Sequence, residues 1–299
     1  MFRKYITLLK YQTLIQLHPS EAKKIRRKID HTEFESHLLH NVLPNLHKWK
    51  DSPEQPINPF ELTPIVELPL GKDDCIGIIV ETRIHEHLIN TLQNYFSAVN
   101  RPALLFCSTH NLPLIMDSDL KDKVGTELFP IIIEHEPFGV RNYNELFLSE
   151  AFWNIQPIVK QILVFQTDGY FNPNSKYQLT DFAKYDYIGA DWVCRIRTNG
   201  LVIDGGIGGV SLRNQSLSRA AVRRFASLGW EGGEDDFFGF YIELLGGKVA
   251  RKLQCNQFCQ QNEFKQYAFS VHQPSNMNRK DQLKFNRAFP DCYLTQSEH

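Results

Sequence analysis

Hydrophobic residues follow two rhythms along this chain. Short unbroken apolar runs of strand length recur at Cys75–Val80 (CIGIIV), Ala103–Cys107 (ALLFC), Pro130–Ile133 and Ile162–Phe165 (ILVF). Between them, apolar positions fall at helical spacing. Leu88, Leu92, Tyr95, Phe96 and Val99 mark His85–Val99 as a helix, and Leu146, Phe147, Phe152 and Trp153 give Asn144–Ile155 a thick apolar face. Strands that are apolar on both faces and alternate with helices predict a mostly parallel sheet covered on both sides, the α/β class. Further on, Ser216–Leu228 predicts a helix. Phe237, Phe238, Tyr241, Ile242 and Leu245 share one face of another, which Gly246-Gly247 ends.

The first 70 residues have a different rhythm. They hold five of the eleven histidines and seven of the fifteen prolines, five of those between Pro53 and Pro69. Ile6, Leu9, Leu14 and Leu17 suit a short amphipathic helix. Lys23–Lys28 is a basic cluster, read as a solvated helix face beside Glu21 and Asp30, with weak contact to a membrane surface as the other reading. Residues 51–70 form a proline-stiffened extended connector. The expected division is a helical N-terminal extension with its connector (1–70) and one main domain (71–299). Leu38, Leu39, Val42 and Leu46 favour packing of the extension on the domain as a lid over tethering near a lipid-linked acceptor.

Composition narrows the function classes. With 33 Lys plus Arg against 34 Asp plus Glu, the net charge of -1 gives no footprint for nucleic acid. No uncharged apolar run approaches the ~18 residues of a membrane span. The start MFRKYITLLKYQTLIQL mimics a signal peptide, but Lys10, Gln12 and Gln16 interrupt its apolar core and no small-residue cleavage site follows. Six cysteines are too few for a disulfide scaffold, so a cytoplasmic protein with buried reduced thiols is expected. Cys255 and Cys259, even with His272, have the wrong spacing for a zinc knuckle.

A few residues carry candidate chemistry. Asp168 follows an apolar strand in Gln166-Thr167-Asp168-Gly169, at a strand end where α/β ligands bind. Its carboxylate suits a hard divalent cation, while a turn aspartate capping its own backbone is the bland reading. Glu234-Asp235-Asp236 opens a helix after Gly232-Gly233. The helix dipole favours acids there by ~0.3–1 kcal/mol, but one dipole cannot reward all three equally, and the bare glycines admit a ligand. A carboxylate so placed suits a general base. Gly205–Gly209 lacks the Gly-Lys-Ser/Thr ending of a phosphate loop, leaving a bare backbone for a flat ring, or a hairpin turn. His272 reads either as a metal ligand or as a surface-loop histidine, and Trp192 and Trp230 either as sugar-stacking platforms or as core. No nucleophile elbow, HExxH, kinase lysine set or Rossmann fingerprint supports a hydrolase, kinase or dehydrogenase.

Six segments in order, IVETR (79–83), LVFQTDG (163–169), YDYIGADW (185–192), GGVSLR (208–213), WEGGEDDFF (230–238) and VHQP (271–274), resemble a little-characterised group of GT-A glycosyltransferase-like domains over about residues 75–275. WEGGEDD is similar to the matching segment of the β-1,4-galactosyltransferases. The resemblance implies a GT-A-like, Rossmann-like sheet and an inverting transferase moving a sugar from a nucleotide-diphosphate donor to a glycan or lipid-linked acceptor. It makes Asp235 the catalytic base, with Glu234 beside it. Glu81, Thr82, Arg83, Gln166, Asp168 and Arg213 would meet the donor, and Gly208, Gly209, Trp192 and Trp230 the acceptor. A DxD-type motif holds Mn²⁺ or Mg²⁺ in such enzymes. Here only Asp168 of that triplet remains, with His272 as the second candidate ligand. Arg213 or Arg83 is expected to offset charge on the leaving diphosphate. The alternative is an inactive nucleotide-sugar or carbohydrate-binding module of the same fold.

Overall fold

The computed structural model describes residues 60–69, 74–134, 138–192, 203–226, 230 and 232–295. The amphipathic start, the Lys23–Lys28 cluster and Leu38–Leu46 lie outside them. The connector enters the described region as a short edge strand, β1 (Leu62–Pro64), with Phe60 buried in the core. Then come β2 (Cys75–Val80), α1 (Leu88–Ala98), β3 (Ala103–Cys107), the short α2 (Leu112–Met116) and β4 (Leu128–Ile133). The apolar run expected as one helix over 144–155 is two: α3 (Val140–Phe147) and α4 (Glu150–Ile155). Ser149 makes the break. Its hydroxyl accepts from the Phe152 N–H as an N-cap and donates to the Leu146 carbonyl, so the chain restarts in a new direction.

The second half adds β5 (Gln161–Phe165), β6 (Gly169–Phe171), α5 (Leu179–Phe182), β7 (Tyr187–Ala190), β8 (Ile207–Asn214), α6 (Gln215–Phe225), α7 (Glu234–Leu244), α8 (Lys252–Phe258), β9 (Cys259–Gln260), β10 (Ser270–His272) and α9 (Arg279–Ala288). The main sheet runs β1-β4-β3-β2-β5-β8-β7. Its centre, β4-β3-β2-β5, is parallel, while β1 and β8 run against their neighbours. β7 is antiparallel to β8 and so points the same way as β5. The expected α/β layout, a mostly parallel sheet between helices, is what the chain adopts.

Alternation along the strands divides the core. Ile76, Ile78, Leu104, Phe106, Ile162 and Val164 face α3, α4, α6 and α7 through Phe147, Phe152, Trp153, Phe225, Phe237 and Tyr241. Ile79, Leu105, Leu163, Phe165 and Leu212 face α1 and α8 through Leu92, Tyr95, Cys255 and Phe258. Burial of each such side chain stabilises by ~1.5–3 kcal/mol. A second sheet, β6-β10-β9, has no counterpart in the apolar pattern because its strands are only two or three residues long. Its register sets His272 opposite Gly169.

One contact ties β8 to the first turn of α7. Arg213 is wholly buried, and its guanidinium grips Glu234, itself 4% exposed, with two bonds: Nη1 to Oε2 at 2.5 Å and Nη2 to Oε1 at 3.0 Å. Nε donates to Ser211 Oγ at 2.9 Å, and the rings of Phe147, Tyr187 and Phe238 surround the cation at 5.0–5.5 Å. Burial disfavours both charges, and pushes Glu234 above its ordinary value even against Arg213; the surrounding carboxylate holds Arg213 protonated. Removing one partner strands the other in the core. Arg213→Met is therefore expected to lower unfolding stability by ~3–5 kcal/mol, and Arg213→Met/Glu234→Met to recover most of it. Urea unfolding checks this: a single variant that loses under ~1 kcal/mol, or a double variant no better than the single, is the contrary result.

Candidate functional site

Parallel β2, β5 and β7 all end at one edge of the sheet, and antiparallel β8 begins there. Topology thus gathers Glu81–Arg83, Gln166–Asp168, Gly208–Gly209 and, through the Arg213 grip, the start of α7. Loops at this edge are where ligands of open α/β sheets bind.

After β2, Glu81 is buried and is the acceptor for its own loop. Its Oε1 takes bonds from the Arg83 N–H (3.0 Å) and Nε (2.8 Å), and Oε2 from Arg83 Nη2 (2.8 Å). Ser108 Oγ donates to the Thr82 carbonyl at 2.7 Å, and the Asn111 amide donates to the Glu81 and Arg83 carbonyls. The loop is therefore clamped from β3 and α2, with Arg83 two-thirds exposed at its tip. His85 follows. Burial pushes its ring below the ordinary histidine value, and Arg83 and His87 add to the effect against Glu81 and Asp168. It stays neutral at pH 7.

After β5, Asp168 and His272 meet, as the candidate metal pair requires. His272 Nε2 lies 3.2 Å from Asp168 Oδ1 and 3.2 Å from Gln166 Oε1. His272 is 3% exposed on β10, so the surface-loop reading of this residue does not hold. Burial works against the Asp168 charge, but the His272 ring and the Gln273 amide outweigh it and hold the carboxyl below its usual value. Asp168 Oδ1 is buried without a hydrogen-bond partner. Cys255 and Cys259 are buried thiols that take no part, and burial pushes Cys259 up to about 12. Among the described residues, no group of three or more His, Cys, Asp or Glu is placed around one metal position.

Beside this trio stands Asp235. Its Oδ2 accepts from the Gly208 N–H at 3.2 Å and its Oδ1 from the Asp236 N–H at 2.8 Å, leaving it half-buried at the mouth of the site. The α7 N-terminus is capped from outside, by Asn144 Oδ1 accepting the Glu234 N–H at 3.0 Å. Tyr143, the preceding residue on α3, was not visible as a site residue in the sequence. Its hydroxyl is buried beside Gln166, within the field of Glu234, Arg213 and Asp235, and finds no well-aligned partner among the described residues. Burial, then Glu234, pushes it well above the ordinary tyrosine value.

Several expectations change here. Glu234 is buried with both oxygens on Arg213, so it positions the α7 start and does not face a reactant. Arg213 is buried for the same reason and cannot reach a diphosphate; Arg83, its expected partner in that role, is bonded to Glu81. Gly208 and Gly209 lie in strand β8, not in a hairpin turn, and offer no bare face to a sugar. A Cβ on Gly209 would sit 2.1 Å from His272 Nε2 and 2.7 Å from Gln166 Oε1, and one on Gly208 2.6 Å from Glu234 Oε1. The two glycines make room for the site's own side chains. Trp230 packs on Phe237, Phe240 and Tyr241 with Nε1 donating to the Gly233 carbonyl at 3.1 Å, and Trp192 is buried; both take the core reading.

Residues 131–276 match the model of a family described as "Protein of unknown function (DUF5672)". Among curated proteins, none matches the chain. Of solved structures, the galactosyltransferase LgtC in complex with donor and acceptor sugar analogs is 10% identical, covering 73% of this chain and 96% of its own, with a TM-score of 0.44. A Bacillus anthracis protein named for glucose-1-phosphate thymidylyltransferase activity, in complex with a sucrose, is 11% identical (75% and 96% covered, TM-score 0.41). HddC from Yersinia pseudotuberculosis is 16% identical (71% and 100%, TM-score 0.37). At TM-scores this low, these likenesses do not bear on which residues act. Among the described residues, no helix is long and apolar enough to cross a membrane.

Proposed function

We propose that this protein is an inverting glycosyltransferase that takes a sugar from a nucleotide-diphosphate donor and passes it to a hydroxyl acceptor, with Asp235 as general base. One observation carries the reading. Asp168 Oδ1 and Gln166 Oε1 each lie 3.2 Å from His272 Nε2 at the end of β5, and one residue along β8 from Gly209, which borders them, the Gly208 N–H meets the Asp235 carboxylate at the start of α7.

The donor set suits a divalent cation. Metal–donor bonds of ~2.1 Å at octahedral angles put neighbouring donors about 3 Å apart, and the two separations from His272 Nε2 are both 3.2 Å. Asp168, His272 and the Gln166 amide oxygen would hold the ion, leaving positions for phosphate oxygens. When bound, it would supply positive charge against the diphosphate, which Arg83 and Arg213 do not, being committed to Glu81 and Glu234.

The chain's own residues do the rest. The clamped Glu81–Arg83 loop offers a rigid rim for the nucleoside end of a donor. Asp235, steadied by the Gly208 N–H, takes the proton of an acceptor hydroxyl as its oxygen attacks the anomeric carbon opposite the diphosphate. A single displacement inverts that carbon. The buried Tyr143 hydroxyl lies beside Gln166 and has no well-aligned partner among the described residues, so it could turn towards a bound sugar. Acceptors of glycan or lipid-linked type, and a cytoplasmic site of action, belong to this reading.

Asp235→Asn is expected to cut transfer by ~10²–10⁴ while leaving donor affinity unchanged, since asparagine keeps the shape and loses the basicity. Release of labelled sugar from a nucleotide-sugar panel measures it; retention of most activity would remove Asp235 from the mechanism. A wild-type protein that binds donor yet neither transfers nor hydrolyses it is instead the binding module.

Asp168→Ala should weaken nucleotide-diphosphate binding and abolish its dependence on Mn²⁺. Calorimetry with and without excess chelator checks this, and equal wild-type affinity in both would rule out a cation at Asp168.

A further inference from the structure

His272 is held from behind by Gln261, and through it by Gln273, a residue of the VHQP segment; the proposed chemistry gives neither glutamine a role. Its Nδ1 lies 2.9 Å from Gln261 Oε1. Gln261 Nε2 donates to Gln273 Oε1 at 3.4 Å, Gln273 Nε2 donates to Asp168 Oδ2 at 2.9 Å, and Asp168 Oδ1 returns to His272 Nε2 at 3.2 Å. Asp168, His272, Gln261 and Gln273 thus form a closed circuit, with Gln261 itself buried.

The polarity of that circuit follows from its one member that can only accept. An ionised carboxylate has no proton to give, so Gln273 must turn its NH₂ towards Asp168 and its carbonyl away. That carbonyl already takes a bond from Asn276 Nδ2 at 2.8 Å. Gln261 must then offer NH₂ to Gln273 and carbonyl to the ring. An amide carbonyl facing Nδ1 calls for a proton on Nδ1, so in the neutral ring Nε2 is a bare lone pair. It lies 3.2 Å from each of two further acceptors, Gln166 Oε1, with which it is aligned, and Asp168 Oδ1. In the neutral ring three acceptor atoms then lie together with no proton of their own, an arrangement that a cation, or a second proton on Nε2, would settle.

Backbone geometry shows that the arrangement is held at a cost. Gln273 is left-handed (φ 46°, ψ 63°), a conformation that side chains bearing a Cβ rarely adopt. In it, the Gln273 N–H donates to the Asp168 carbonyl at 3.0 Å while the side chain reaches the same residue's carboxylate. Pro274 follows and limits the alternatives open to Gln273.

We propose that Gln261 and Gln273 are positioning residues that lock His272 as its Nδ1–H tautomer and so keep Nε2 free for a cation. The tautomer stands on the hydrogen-bond polarity; its use for a cation rests on the transferase reading above. Neither glutamine touches a reactant.

Long-range ¹H–¹⁵N spectra of the full-length protein, with ring-labelled histidine and free of metal, read the tautomer directly. The His272 signal is identified by its absence in His272→Gln. The expected spectrum has Nδ1 protonated and Nε2 bare. An Nε2–H ring in the wild type overturns the proposal, whether or not any variant folds. Gln261→Met should release the lock, giving Nε2–H or a mixture, and Gln261→Glu, which still accepts from Nδ1, should keep it. Gln273→Leu, which frees Gln261 to turn over, should also release it. Mn²⁺ added alone and followed by broadening of the His272 signals gives the second readout. The concentration needed should rise about 10–100-fold in Gln261→Met and little in Gln261→Glu. Unchanged tautomer and unchanged Mn²⁺ response in Gln261→Met overturn the proposal. A wild-type ring that shows the Nδ1–H form, loses it in Gln261→Met and never responds to Mn²⁺ upholds the lock and removes the cation from the proposed function.

Discussion

The buried Arg213–Glu234 pair is the constraint on which the site depends. It joins an antiparallel strand to the first turn of a helix, and both side chains are buried. A bidentate guanidinium–carboxylate bond fixes direction as well as distance. Because Glu234 is fixed, the backbone of the next residue is fixed too, and Asp235 is set against Gly208, from whose N–H it accepts. A hydrophobic pair in that place could be equally stable. It would not aim a carboxylate.

The same economy of space explains the glycines. Gly208 and Gly209 sit where two clusters of polar side chains cross strand β8, Glu234 and Asp235 on one residue and Gln166 and His272 on the other. Neither glycine needs an unusual φ; both need the missing Cβ. Gly205 and Gly206, just before the strand, are the reverse case. Their φ values of +103° and +95° let the chain turn with Gly205 against the Tyr187 ring and Gly206 against the Ala190 backbone. One glycine-rich run thus serves two physical ends, which its letters alone cannot separate.

Much of the fold was legible because it rests on burial. Strands β2, β3 and β5 are apolar at every interior position, and nothing but a covered sheet accommodates that. The site's outline was legible for a related reason: Asp168, Asp235 and His272 are polar residues placed against apolar runs, where a polar group demands a reason. What stayed hidden depends on pairing across the chain. A sequence does not show that Arg213 finds Glu234, which changes both from reactant contacts to buried supports. Ser149 lies inside an apolar helical pattern, and only its cap bond to Phe152 shows a break. Gln261, Gln273 and Tyr143 carry no distinctive charge or spacing. Their meaning comes from which atoms they face.

Charge placement at the sheet edge sets the chemistry it can host. Asp168 and Asp235 are both partly exposed at this edge, and the arginines nearest in sequence to the site motifs are already bonded to glutamates. His85, kept neutral by burial, adds no charge. A diphosphate approaching these groups would be repelled by carboxylates on two sides. In an enclosed site at an effective dielectric of about 20, one like-charge pair at 4 Å costs on the order of 4 kcal/mol. Such a ligand therefore needs a positive charge that the described side chains do not supply freely. Asp168, Gln166 and His272 lie where that charge would be useful, and Asp235, at the start of α7, is bonded instead to the Gly208 N–H. In the proposed reaction the two carboxylates would divide by role: Asp168 sharing its charge with a cation, Asp235 acting as the base.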